Sequence, residues 1–343
     1  MGEGLASRRP CESRAGEGVV VSREVRLVAV PEGLPGPEHF EVVDVPVREP
    51  GPGEVLVRNR YFPVSARLRT LLVGGVEGAP LPPVRVGEVP PSITLGEVVA
   101  VGGGDGPRVG EWVSHWDGWR EESVVPVDGC TPLGDWLPDP VAHLGSWWTS
   151  YAALTRHARL RSGETVLVTA GAGGVGSIVG PLARLLGAGR VIATARTREK
   201  AQRLVHELGY DAAFVVGEER VEAADVIVDN VGGATLRALL DVAKPGARVA
   251  LVGALEGQLT GSGTTAPVEL DTFGLILRGI SLHGVNNRPD QDERDDWLGR
   301  LGGWLRSGAL TFPHVRVSGI DSAPRALQEV IAGHHLGTVV VEL

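Results

Sequence analysis

The sequence predicts an α/β protein in which a mostly antiparallel β region precedes a doubly wound parallel sheet. Three observations carry this. Residues 19–127 hold short strand-like runs separated by turn clusters such as Glu49-Pro50-Gly51-Pro52-Gly53. After about residue 139, apolar strands alternate with helical patterns. At 169–177 a nearly side-chain-free stretch, TAGAGGVGS, joins such a strand to such a helix.

The elements follow in order. The first 22 residues carry Gly, Glu, Ser and Arg without an apolar stretch, which reads as a mobile leader rather than a secretory signal. Strands are expected at 54–58, 93–101, 111–113 and 123–125. The second region offers strands at 165–170, 190–195, 225–231, 248–253 and 281–285. These are nearly continuous runs of Val, Ile, Leu and Ala, as expected of parallel strands covered on both faces. Ala201, Leu204, Val205 and Leu208 fall on one helical stripe. A helix at 323–332 and a strand at 338–342 close the chain.

The chain has 343 residues, enough for two domains. A net charge of -9 argues against a general nucleic-acid binder, and no apolar run is long enough to span a bilayer. The two cysteines, Cys11 and Cys130, neither promise a disulfide nor build a Cys-rich zinc site. A reduced, cytoplasmic protein is expected.

Gly171, Gly173 and Gly176 fit G-x-G-x-x-G between a strand and a helix. Missing side chains let the backbone approach a pyrophosphate, and the helix start offers free N–H groups. Pro181 falls beyond the first helical turn, where it costs a hydrogen bond and favours a kink. An NAD site needs a carboxylate at the end of the next strand. Here that strand ends at Ala195 and continues Arg196-Thr197-Arg198-Glu199-Lys200. Arg196, Arg198 and Lys200 instead suit a 2′-phosphate, so NADPH is expected over NADH.

The chain resembles the zinc-independent medium-chain dehydrogenases/reductases, in the branch of prostaglandin and curcumin reductases, which are NADPH-dependent alkenal/enone reductases. The resemblance covers nearly everything after residue 23. It rests on the passage at 93–126, on Thr149-Ser150-Tyr151, on TAGAGGVGS, on Lys200 in the family's G-S-x-x-K, on Val252-Gly253-Ala254, and above all on Asp229-Asn230-Val231-Gly232-Gly233. It implies a GroES-like β domain over 23–140 completed by 313–343, a Rossmann domain over 141–312, and commonly a homodimer through edge strands around 275–285. It also implies NADPH-dependent reduction of a carbon–carbon double bond conjugated to a carbonyl. The implied cofactor residues are Gly171, Ala172, Gly173, Gly174, Val175, Gly176, Thr149, Ala195, Arg196, Lys200, Asn230, Val252, Gly253, Ala254, Val285 and Asn286. No metal is expected: Leu95-Gly96-Glu97 stands where zinc-dependent relatives carry G-H-E, and the histidines show no paired ligand spacing. His334-His335 reads as surface or cofactor edge.

The sequence departs from the family where substrate should sit. The family's N-L-Y-L-S-x-D-P-Y-M-R becomes Asn59-Arg60-Tyr61-Phe62-Pro63-Val64-Ser65-Ala66-Arg67-Leu68-Arg69, so its second tyrosine is replaced by Arg67. A further family tyrosine becomes Gln258, and the Gly-Lys near the C-terminus becomes Gly337-Thr338. Tyr61, Arg67 and Ser65 are the remaining catalytic candidates; a guanidinium stabilises an enolate but does not give up a proton. Trp147 and Trp148 read either as packing or, with Gln258, as a pocket for a flat polyketide- or quinone-like substrate. A quinone or carbonyl reductase of the same fold is a neighbouring alternative, and loss of both tyrosines keeps open a reading of another kind, an NADP(H)-binding relative without hydride turnover that serves as sensor, partner or non-redox catalyst.

Overall fold

The computed structural model describes residues 21–74, 81–260, 265–286 and 289–343. The expected leader lies outside these residues except for Val21 and Ser22, which already belong to the first strand.

The first region begins with β1 (Val21–Leu27), β2 (Phe40–Pro46) and β3 (Glu54–Val64). Then come α1 (Leu68–Val73), β4 (Thr94–Val101), β5 (Trp112–His115), β6 (Glu122–Pro126) and β7 (Thr131–Pro132). β1 and β2 form an antiparallel pair. β3 alternates buried and half-buried residues, the pattern of a strand with two unlike faces. It pairs with β4, with β6 and, at its far end, with the last strand of the chain.

The second region starts with α2 (Trp147–Ala152), which runs on through a π turn. It continues β8 (Thr165–Val168), α3 (Gly176–Leu185), β9 (Arg190–Ala195), α4 (Arg198–Leu208), β10 (Ala212–Val215), β11 (Ala224–Asp229), α5 (Gly233–Val242) and β12 (Ala243–Leu251). α6 (Leu255–Leu259), α7 (Thr272–Arg278), β13 (Ser281–Gly284) and α8 (Gln291–Arg306) complete it. The sheet order is β10-β9-β8-β11-β12-β13, all parallel. The order reverses between β8 and β11, and a ligand crevice forms outside the carboxyl ends of strands at such a switch. α3 runs through Pro181 without ending.

The chain then returns. β14 (His314–Ser318), α9 (Ala323–Ala332) and β15 (Thr338–Glu342) go back to the first region. β15 lies between β14 and β3, so the seven-stranded sheet is built from both ends of the chain. α9 buries Ala326, Leu327 and Ile331 in one core with Val25, Phe62 and Val339. Among the described residues, no helix is long and apolar enough to cross a membrane.

Candidate cofactor and active site

The expected cofactor residues gather at the carboxyl ends of β8, β9, β11, β12 and β13. The glycine loop leaves β8 with Ala170 at φ 49°. A Cβ on Gly171 would stand 2.7 Å from that of Ala193, and one on Gly176 would run into the carbonyl of Ala170. These two glycines let the loop fold on itself against β9. Gly173 and Gly174 face less crowded space, and a Cβ on Gly174 would lie 3.2 Å from Thr338 Oγ1 of the first region. The Gly337 N–H donates to the Ala172 carbonyl at 2.9 Å. The returning segment therefore lies along the loop, with Ala172 buried and Val175 half-buried.

Asp229 fixes the neighbouring strand end. It is fully buried, and its carboxylate accepts from Thr169 Oγ1 at 2.9 Å, Val231 N at 3.2 Å and Gly232 N at 2.9 Å. Burial pushes its pKa up and those three donors oppose the rise. Asn230 is held by its N–H on Thr169 Oγ1 and by Nδ2 on the Thr169 carbonyl. Its Oδ1 is buried without a hydrogen-bond partner. A buried amide oxygen left empty beside a glycine loop asks for a donor from a ligand. Val252 and Gly253 donate to the Asp229 carbonyl, Ala254 starts the turn into α6, and Val285 donates to the Leu251 carbonyl ahead of exposed Asn286. Thr149 is the third residue of α2 and half-buried.

The basic run after β9 sorts itself. Arg198 reaches Glu219 at 2.8 Å and Glu218 at 3.3 Å, and Arg203 is paired with Glu207. Arg196 and Lys200 have no carboxylate within ion-pair distance among the described residues. Burial lowers the pKa of Lys200, and the neighbouring Arg196 and Arg203 lower it further. Two close cations without an anion fit a phosphate. The cradle, the empty amide oxygen and this pair together suit NADP(H). Glycine-loop residues would hold its pyrophosphate, and Arg196 and Lys200 its 2′-phosphate.

At the other end of the crevice, the stretch 65–69 bridges the two regions. Ser65 follows Val64, which pairs with Val339 next to Thr338. Its Oγ accepts from the Arg67 N–H at 3.3 Å. Arg69, 1% exposed, donates to the carbonyls of Gln258 and Thr260 at the end of α6, and to that of Gly33. Gln258 is thus drawn to the domain junction through its backbone. Arg67 lies between these anchors. It keeps contact with solvent, yet protein atoms crowd it enough for desolvation to lower its pKa. Its residue is nevertheless exposed, and no side chain among the described residues pairs with it.

Tyr61 and the tryptophans are engaged otherwise. The Tyr61 hydroxyl donates to Glu342 Oε1 at 3.4 Å, its ring stacks on Trp112, and Arg316 lies over it at 5.3 Å. Burial raises its pKa, which weakens it as an acid. Trp147 corrects the pocket expectation: it is 3% exposed, gives its indole N–H to the Ala142 carbonyl at 2.9 Å, and packs on Phe312. Trp148 packs with Tyr151 and Trp297, under Arg156, in an aromatic cluster that ties α2 to α8. Sequence reasoning had passed over Arg69 and Gly333. The signal for the second was present, since a glycine directly after an apolar helical stripe marks a helix end.

Among the described residues, no three His, Cys, Asp or Glu side chains converge so as to hold a metal ion. Residues 23–133 match the family described as the N-terminal domain of oxidoreductases, and residues 174–298 match zinc-binding dehydrogenase. The chain is 30% identical to prostaglandin reductase-3 of Mus musculus, over 88% of this chain and 84% of that one. It is 27% identical to the NADPH-dependent curcumin reductase of Escherichia coli K12, over 92% and 95%. The crystal structure of CurA from Vibrio vulnificus in complex with NADPH superposes with a TM-score of 0.80 at 26% identity, covering 93% of this chain and 98% of that one. With both halves of the chain, its cofactor cradle and its whole-length relatives in agreement, the protein belongs to the zinc-independent medium-chain dehydrogenases/reductases, in the branch of the prostaglandin and curcumin reductases.

Proposed function

We propose that the protein is an NADPH-dependent reductase that delivers hydride to the β-carbon of an α,β-unsaturated carbonyl compound. The observation that carries the cofactor half is the carboxylate-free pair Arg196 and Lys200 beside the glycine loop. The relatives' reductase activities support the reaction class. Bound NADPH supplies the hydride. The chain's own residues bind and orient. As the β-carbon is reduced, negative charge grows on the carbonyl oxygen, and the unpaired Arg67 guanidinium at the junction offers N–H donors to it. The guanidinium keeps its protons. The Tyr61 hydroxyl donates to Glu342, so the α-proton is assigned to water, with the exposed Ser65 hydroxyl, in the same turn as Arg67, as the candidate relay. Trp147 is taken up by packing on Phe312, and the proposal stops at a conjugated enone or enal.

The test is loss of NADPH absorbance across a panel of enones, enals, quinones and saturated aldehydes. Turnover of the conjugated substrates with reduction of C=C, shown by product mass and NMR, is expected. Turnover of quinones or saturated aldehydes alone would replace the reaction, and tight NADPH binding without turnover would make the protein a binder.

We also propose a homodimer through β13. It is the edge strand of its sheet. On α7 just before it, Phe273, Ile276 and Leu277 are 65%, 72% and 70% exposed. Three bare apolar side chains beside an unpaired edge suit a second copy of the chain. Light scattering should give a dimer mass, and Ile276→Glu with Leu277→Glu should give a monomer. A cytoplasmic setting completes the reading; Cys130 is a free thiol whose pKa burial pushes up to about 11.

A further inference from the structure

We propose that the C-terminal end of α9, an element of the first domain, is part of the cofactor-selectivity site: it positions Arg196 for a 2′-phosphate, and Gly333 is the specificity-determining position that allows it. This rests on the NADPH reading above and adds a positioning device to it.

α9 is anchored far from the crevice, in the core it shares with β1, β3 and β15. Its last carbonyls point at the cofactor domain. Arg196 Nη2 donates to the Ala332 carbonyl at 2.8 Å and to that of Ile331 at 3.3 Å. Helix ends leave such carbonyls unpaired and carry partial negative charge, so a cation is favoured there. Guanidinium is planar with five donors in a rigid fork. Fixing Nη2 fixes the plane and leaves Nε and Nη1 for a ligand; no other acceptor among the described residues takes them. Lys200 stands on the same spot from α4, partly stripped of water.

Gly333 makes the approach possible. It ends α9 in the left-handed region, at φ 74° and ψ 36°. A Cβ there would fall on Arg196 Nη2 and lie 2.9 Å from Lys200 Nζ. Any other residue would push the Arg196 guanidinium off the helix carbonyls and crowd Lys200. Downstream, the Gly337 N–H reaches the glycine loop at Ala172. The adenosine end of the crevice is thus closed by one short segment of the opposite domain, and recognition of the extra phosphate depends on the two domains being docked.

The test uses the full chain and ligands that cannot react. 2′,5′-ADP and 5′-AMP are titrated calorimetrically into wild type, Gly333→Ala, Arg196→Gln and the double variant. Gly209→Ala is the backbone control, because Gly209 also ends a helix left-handed, at φ 67°, but faces open space. Gly333→Ala is expected to weaken 2′,5′-ADP about tenfold, the scale of one charge-assisted phosphate contact, while 5′-AMP is unchanged. Gly209→Ala should move neither ligand. Arg196→Gln should match Gly333→Ala, and the double variant should add little to either. Gly333→Asn, which tolerates the left-handed backbone but carries the same Cβ, should repeat the result if the alanine variant folds poorly. Equal weakening of both ligands, an unchanged ratio, or identical behaviour of the two glycine variants would overturn the positioning role. An Arg196→Gln protein that keeps its 2′,5′-ADP affinity would instead overturn the phosphate reading beneath it.

Discussion

The two ends of the crevice are built in opposite ways. At the end proposed for adenosine, the parts are held by the backbone: Gly171 and Gly176 fold on their own loop, Asp229 holds two N–H groups and a hydroxyl, and Arg196 is fastened to helix carbonyls. At the end proposed for substrate, Ser65 and Arg67 sit in a turn where the family's tyrosine is missing, and Arg67 pairs with no side chain among the described residues. The first end is built from groups that hold one another; the second presents side chains that nothing else holds.

Four measurements would break or sharpen this contrast. The largest effect is expected at the fixed end. Asp229→Ala leaves the Thr169 hydroxyl and two backbone N–H groups unpaired in the core and should cost about 2–5 kcal/mol in chemical denaturation, with loss of NADPH binding. A near-neutral result would mean that the strand end does not depend on it. The first domain has a comparable buried group in His115, whose pKa burial, aided by Arg120, lowers from 6.5 to about 4. Its Nδ1 accepts from the Asp117 N–H and its Nε2 faces Asn59 Oδ1, so the folded state holds the neutral ring. The unfolded chain takes up the proton first as pH falls. Stability is therefore full above pH 6.5 and falls by up to about 3 kcal/mol as pH drops to 4. His115→Gln should flatten that slope in denaturation curves taken at several pH values.

Arg67→Ala should lower kcat about a hundredfold or more while leaving the Kd for NADPH alone, the scale expected when one donor to a developing oxyanion is removed. A change in Kd without a change in kcat would move Arg67 to the cofactor. Smallest, Lys200→Ala should raise the Kd for NADPH about tenfold and spare NADH, which stopped-flow fluorescence reads directly. Together these two separate the ends: one variant strikes the chemistry, the other the cofactor.

The elements easiest to read in the sequence were those with backbone reasons. The glycine loop, the buried strands β8, β9 and β11 and the apolar end of β12 around Val249 and Ala250 carry patterns that no surface element needs. β10 was missed because its four residues, Ala212–Val215, form a half-buried edge with little pattern. α8 was missed because its sixteen residues mix acidic groups, glycines and tryptophans, whose use became clear only against α2. The Arg69 clamp joins side chain to carbonyl across 189 residues, and carbonyls leave no mark in a sequence. Trp147 and Trp148 showed the converse. Their identity was plain, but core or crevice is decided by neighbours such as Phe312 and Trp297 that lie far along the chain.

The return of the chain sets an order of assembly. Tyr61 and Glu342 touch across a separation of 281 residues, and β15 fills the place between β14 and β3. During synthesis the first domain must wait, its sheet missing two strands, until the entire cofactor domain has left the ribosome. Domains generally fold as they emerge, and contacts between distant residues form late. The cofactor domain is therefore the first complete unit, and the strand that finishes the first domain arrives directly behind the segment that grips Arg196. Completion of the sheet and closure of the selectivity site become one late event, so a nascent chain that has not finished its sheet has no selectivity for the phosphorylated cofactor.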